Sequence, residues 1–160
     1  MEMYVKLDTT RKYRYLLRRK WDSNLPQVTF VMLNPSTADD TQDDRTLCKC
    51  INFAKFWRYG SLEVVNLFAY RATKRDGLLL PDDPIGPKNN CYIQIATKNA
   101  DLIILAWGGG KYPKIRNRSK EVLSLISGQT VYSLGRPTKD GNPRHPLYLS
   151  VSTERISNMC

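Results

Sequence analysis

The chain is predicted to be an α/β protein of three layers, with helices on both faces of a central, mostly parallel four-stranded sheet. Three observations predict it. Apolar runs of strand length recur near residues 27–33, 62–69, 101–107 and 130–134. Amphipathic stretches of helical spacing alternate with them, and glycine, proline and asparagine mark the joins. Strands that alternate with helices pair in parallel through right-handed crossovers, which puts helices on both faces. At 160 residues the chain has the length of one domain.

Each element has its own signal. Leu7 to Asp22 alternates loosely, with Tyr13, Tyr15 and Leu17 on one side and basic residues between them. Residues 1–26 are therefore expected to form an N-terminal strand or hairpin extension, broken by Asn24-Leu25-Pro26. Gln27 to Leu33 (QVTFVML) reads as a strand buried on both faces. Ser36 to Asp44 (STADDTQDD) offers several N-caps and a carboxylate-rich first turn. The helix behind it carries Leu47, Ile51, Ala54, Phe56 and Trp57 and stops near Gly60. Leu62 to Ala69 (LEVVNLFA) is a second buried strand, followed by a long polar loop from Tyr70 to Pro87. Lys88 to Asn99 suits a helix, and Asp101 to Trp107 (DLIILAW) a third strand, ended by Gly108-Gly109-Gly110. Arg118 to Ile126 reads as a short amphipathic helix, and Thr130 to Leu134 as the fourth strand, closed by Gly135-Arg136-Pro137.

Composition narrows the function classes. Hydrophobic residues make up 41% of the chain, and no apolar run approaches the twenty or so residues of a membrane span. Met1 to Arg19 is charged and lacks a signal core, so a cytoplasmic protein without membrane contact is expected. Cys48, Cys50, Cys91 and Cys160 form no CxxC pair, and a single histidine accompanies them. Reduced thiols are expected rather than a metal site, and no cofactor is implied. Basic residues number 25 against 15 acidic, and the resulting charge of +10 favours nucleic acid or a nucleotide as partner.

In a parallel sheet, ligands bind beyond the carboxyl ends of the strands. The loops leaving those ends carry LNPSTADD, VNLFAYRATKRDG, WGGGKYP and LGRPTKDGNPRHPLYLS. Asn34, in a turn directly after a buried run, can orient a water or help bind an anion; equally, it can cap the turn. Asn66 stands inside VVNLF, where a buried amide costs a few kcal/mol unless bonded. Its donor and acceptor suit a nucleobase edge, or else neighbouring loop backbone. His145 is the sole histidine and suits proton transfer or the stabilisation of a developing anion, unless it is a surface residue. Asp39, Asp40, Asp43 and Asp44 suit a magnesium ion, an activated water, or a solvated helix start. The WGGG run lacks the lysine-serine pair of a phosphate loop, and its glycines more simply permit a sharp turn.

These segments resemble a bacterial and phage family, domain-of-unknown-function family 1643. The likeness rests on Leu33 to Asp39, Val64 to Thr73, Leu102 to Gly108 and Lys139 to Leu149, with Arg45 standing where a proline is expected. A more distant resemblance is to the uracil-DNA glycosylase superfamily, through Asn34-Pro35, Asn66 in its strand, and His145-Pro146. That resemblance implies its fold and a glycosylase-like enzyme acting on a nucleobase or nucleoside by water attack at a glycosidic carbon. Asn34 would position the water and His145 would stabilise the departing base. Asn66 would read the base edge, with Ser36, Phe68 and Tyr70 as further substrate contacts. Arg71, Lys74, Arg75, Lys139 and Arg144 would hold phosphates. The match has departures: no glycine precedes Asn34, and Leu147-Tyr148 follow His145-Pro146 in place of serine-proline. Two alternatives stay open. One is a non-catalytic module that binds a nucleotide or modified base in phage–host conflict. The other is a metal-assisted hydrolase using the Asp39 to Asp44 carboxylates.

Overall fold

The computed structural model describes residues 1–36 and 38–158, Asn158 through its backbone alone. Thr37 of the LNPSTADD segment, Met159 and Cys160 lie outside the described residues, and so does the thiol expectation for Cys160.

The described strands form one mixed sheet of seven: β1 (Glu2–Leu7), β2 (Arg14–Lys20), β3 (Gln27–Met32), β4 (Ser61–Asn66), β5 (Leu102–Leu105), β6 (Val131–Leu134) and β7 (Arg155–Asn158). Their order is β1-β2-β4-β3-β5-β6-β7. The four expected strands are its parallel centre, β4-β3-β5-β6. The sheet is larger than expected, because β1 and β2 extend it antiparallel on one side and β7 on the other. β2 buries Tyr15, Leu16 and Leu17, but neither edge strand, β1 or β7, carries a buried apolar run. β1 alternates exposed and half-buried residues, and β7 is the short polar segment RISN. Such edge strands exist because a neighbour offers unpaired backbone groups, a property of the sheet and not of the segment.

Among the described residues three α-helices complete the layers: α1 (Arg45–Phe56), α2 (Asn89–Lys98) and α3 (Arg118–Leu125). The two-residue period of the strands sorts the core between them. Val28, Phe30 and Met32 face α1, together with Leu62, Val64 and Ile104. Val31 and Leu33 face α2 and α3, together with Val65 and Ile103. α1 begins one residue after the acidic run. Asp44 is its N-cap, accepting from the Leu47 N–H at 2.7 Å, and the first turn itself holds no carboxylate. The chain steps from β3 to β4 on one side, then crosses to β5 and β6 on the other. The carboxyl end of β3 is therefore the point where strand order reverses, where open α/β sheets place their ligands. Among the described residues, no helix is long and apolar enough to cross a membrane.

One irregularity matters for the site. Lys6 pairs with Leu16 and Leu7 with Arg14, so Tyr15 is an extra residue in β2. The bulge turns the Tyr15 ring onto Tyr92 of α2, in a stack with centroids 5.1 Å apart, and reverses the facing of what precedes it. Arg14 thereby joins Leu17 on the α1 side.

Candidate functional site

Asn34 follows β3, and its Nδ2 donates to the carbonyls of Ala72 (2.8 Å) and Pro35 (3.1 Å). These two bonds fix the amide and leave Oδ1 as its remaining hydrogen-bonding atom. Asn66, the last residue of β4, shares the α1 face with Leu62 and Val64 by strand alternation. It is 1% exposed, yet neither its Nδ2 nor its Oδ1 has a partner among the described residues. An unpaired buried amide costs on the order of 1–3 kcal/mol per group, so the fold carries this one at a loss.

Arg14 is 4% exposed. Its Nη1 donates to the Ala38 carbonyl at 2.9 Å, while its Nε has no partner. Burial pushes its pKa down to about 10, against a smaller opposing pull from Asp44, so the guanidinium stays charged near neutral pH. Asp44 is held twice, by the Leu47 N–H and by the Ser36 hydroxyl.

His145 arrives on the loop after β6, which folds back over the end of β5 through the Gly108 N–H to Pro143 carbonyl bond (2.9 Å). Its Nδ1 accepts from the Leu147 N–H at 3.2 Å, so the neutral ring carries its proton on Nε2. Burial, then the Arg75 charge, lowers its pKa from the ordinary 6.5, with Asp44 opposing. Gly108 has φ +82°, and a Cβ there would lie 3.4 Å from both the His145 Cβ and the Arg75 Nη2. Arg75 reaches the same loop, its Nη1 3.4 Å from the Gly109 carbonyl.

Asn34, Asn66 and His145 line one cavity of about 180 Å³, with Ser36 at its wall and Leu17, Met32 and Val64 among its apolar lining. An apolar cavity of about 150 Å³ admits benzene, so this one has room for a single ring. Arg14, Asp44 and Arg75 also line it. Arg14 escapes sequence reasoning, because only the bulge decides its facing within the basic alternation. Asp44 is one of the four acidic-run candidates for a metal ion or an activated water, and it alone of the four lines this cavity. Arg75, expected at phosphates, stands at this cavity instead.

Other expected residues lie elsewhere. Phe68 is fully buried in the core beneath α2 and α3, so its ring cannot stack on a ligand in this cavity. Tyr70 packs edge-on against Tyr13 (6.0 Å) and lines a neighbouring groove with Arg11, Lys12 and Arg71. Ser36, Ala72 and Thr73 are common to groove and cavity. Lys74 and Lys139 are exposed, and exposed Arg144 donates to the Arg136 carbonyl at 2.7 Å. None of the three lines the cavity.

The acidic run has a structural task. Arg19 is fully buried and bonded to the Asp43 carboxylate at 2.8 Å and to the carbonyls of Asp39 and Gln42. The Asp39 carboxylate accepts from Thr41 and Gln42, which holds it below the ordinary carboxylate range. Among the described residues, no three His, Cys, Asp or Glu side chains cluster to hold a metal ion. Cys50 lines the cavity, but burial pushes its thiol pKa well up, so it is unreactive wall. Cys48 and Cys91 are exposed free thiols.

A family model described as protein of unknown function (DUF1643) matches residues 14–147. No curated protein and no solved structure matches the chain.

Proposed function

The chain belongs to the DUF1643 family, and from its cavity we propose a glycosylase-like enzyme that acts on a nucleobase or nucleoside, in DNA or as a free nucleotide. The observation that carries this reading is Asn66: a buried amide whose donor and acceptor have no partner among the described residues, lining a space of single-ring size. A nucleobase edge presents the complementary pair. An orphaned buried group calls for a physical explanation, and a ligand that completes both its donor and its acceptor supplies one.

The other residues fit the chemistry. Water adds to the glycosidic carbon as the C–N bond breaks, and the bonding pair leaves with the base as an anion. Asn34, with Nδ2 committed to backbone, offers Oδ1 to orient that water. Its neutral amide takes no proton; among the described residues Asp44 is the one carboxylate lining the cavity and would accept it. The Nε2–H of a neutral His145 would donate to the departing base, charge that develops only in the transition state. The order Asn34-Pro35, Asn66, His145-Pro146 is similar to that of the uracil-DNA glycosylase superfamily. The adjoining groove of Arg11, Lys12 and Arg71 suits a polyanion and supports a nucleic-acid substrate.

The test is base release. Oligonucleotides and nucleosides bearing each common and deaminated base are incubated with the protein, and free base is measured by chromatography. Release by the wild type that falls in Asn34→Ala and His145→Ala is the expected result. Binding without release, unchanged in Asn34→Ala, would favour a non-catalytic base-binding module, which the neutral amide at Asn34 also suits. Absence of both binding and release would overturn the reading.

A further inference from the structure

We propose that Arg14 is a further ligand-binding residue of this cavity, one that meets negative charge on the bound ring and so favours heterocycles with an acidic ring N–H. The proposal rests on the reading of the cavity as a base site.

Two buried arginines on the α1 side of β2 make the contrast. Arg19 has a carboxylate at 2.8 Å and carbonyls of Arg18, Asp39 and Gln42 around its guanidinium. Arg14 is nearly as buried, yet it has one backbone carbonyl, no ion pair among the described residues, and an orphaned Nε. A guanidinium has five donors and no acceptor, and stranding its charge in a protein interior is expensive. Arg19 is a finished structural contact, whereas Arg14 has no carboxylate bonded to it among the described residues and feels only the through-space pull of Asp44 in the cavity both line.

The backbone is bent to put it there. Without the extra residue at Tyr15, alternation along β2 would place Arg14 with Leu16, facing α2. Bulges beside functional sites commonly re-aim one side chain in this way. The local charges agree: among the described residues Arg14 and Arg75 line the cavity against the one carboxylate of Asp44, both of whose oxygens are already accepting bonds. Burial keeps His145 neutral near pH 7, so it can donate a proton bond but supplies no charge. Arg14 supplies it. In the proposed reaction the electron pair of the broken C–N bond delocalises over the ring and its carbonyls, and Arg14 stabilises that anion.

Uracil, 5-fluorouracil and 6-azauracil have nearly the same outline and increasingly acidic ring N–H groups. Their affinities at one neutral pH are measured by calorimetry for the wild type, Arg14→Gln and Arg14→Lys. The expected wild-type result is tighter binding along the series, by about tenfold or more overall, the scale on which a neutral hydrogen bond becomes charge-assisted. The gradient should flatten in Arg14→Gln and persist in part in Arg14→Lys. Binding of all three rings without a gradient in the wild type overturns the role of Arg14 and leaves the base site standing. That outcome needs no variant to fold. A gradient retained in a folded Arg14→Gln overturns it as well. If the wild type binds none of the rings, the proposal falls, while the base site stands or falls by the base-release assay on the full set of bases.

Discussion

The Nδ2 of Asn89 donates to the backbone carbonyl of Asn66 at 2.9 Å and to that of Leu67 at 3.2 Å, so the first residue of α2 holds the strand end that carries the unpaired amide. The Nε of Arg118 braces Leu67 O as well, at 2.6 Å. All these groups are buried. Asn89→Ala should lower stability by about 1–3 kcal/mol, because two buried carbonyls lose a donor. Urea unfolding measures it, and a change under about 0.5 kcal/mol, the range of ordinary surface substitutions, would mean the contact is dispensable.

Asn66 itself should behave in the opposite sense. Its side-chain amide is buried without partners among the described residues, so Asn66→Leu should raise the stability of the ligand-free protein by about 1–2 kcal/mol while abolishing ring binding. Function and stability then conflict at one residue. Thermal unfolding and calorimetry of the same variant check both halves. A clear loss of stability would show that the amide is satisfied.

The pH dependence of folding isolates His145, the single histidine. Its pKa in the folded protein lies below 6.5, so between that lowered value and 6.5 the unfolded chain binds the extra proton. Stability from this residue is intact above pH 6.5 and lost as the pH falls toward the folded pKa. His145→Gln should remove that slope, leaving only the carboxylate titrations at lower pH. An NMR titration of the ring that gave a midpoint above 6.5 would contradict the assignment.

Gly108 is the joint on which His145 and Arg75 meet. With φ +82°, any L side chain there is strained, whereas the 3.4 Å approaches alone are ordinary contact. Gly108→Ala should cost about 1–2 kcal/mol through the backbone and weaken ring binding by shifting the His145 loop. Equal stability of the two proteins would remove the left-handed conformation from the argument.

If the groove of Arg11, Lys12 and Arg71 tracks a phosphate backbone, oligonucleotide affinity should fall steeply with salt. Arg71→Ala should weaken binding similarly for all sequences and reduce the slope of log affinity against log salt by about one. Lys139→Ala, far along the chain and outside groove and cavity, should change neither by as much. Equal effects of the two substitutions would make the binding diffuse.

The sequence by itself determined the parallel centre of the sheet, the three helices and the strand-end residues that share the cavity. QVTFVML, LEVVNLFA and DLIILAW are local signals, because a strand buried on both faces needs an unbroken apolar run wherever it occurs. The meeting of Asn34, Asn66 and His145 followed from direction alone, since parallel strands end at one edge. Only the tertiary structure decided that Phe68 is core and not a stacking surface, because facing beyond a strand's last residue depends on what packs there. It decided that the acidic run is the seat of Arg19, a partner distant along the chain. It also decided that Arg14 faces the cavity. One extra residue in the ladder reverses every facing beyond it, and a bulge is defined by the opposing strand.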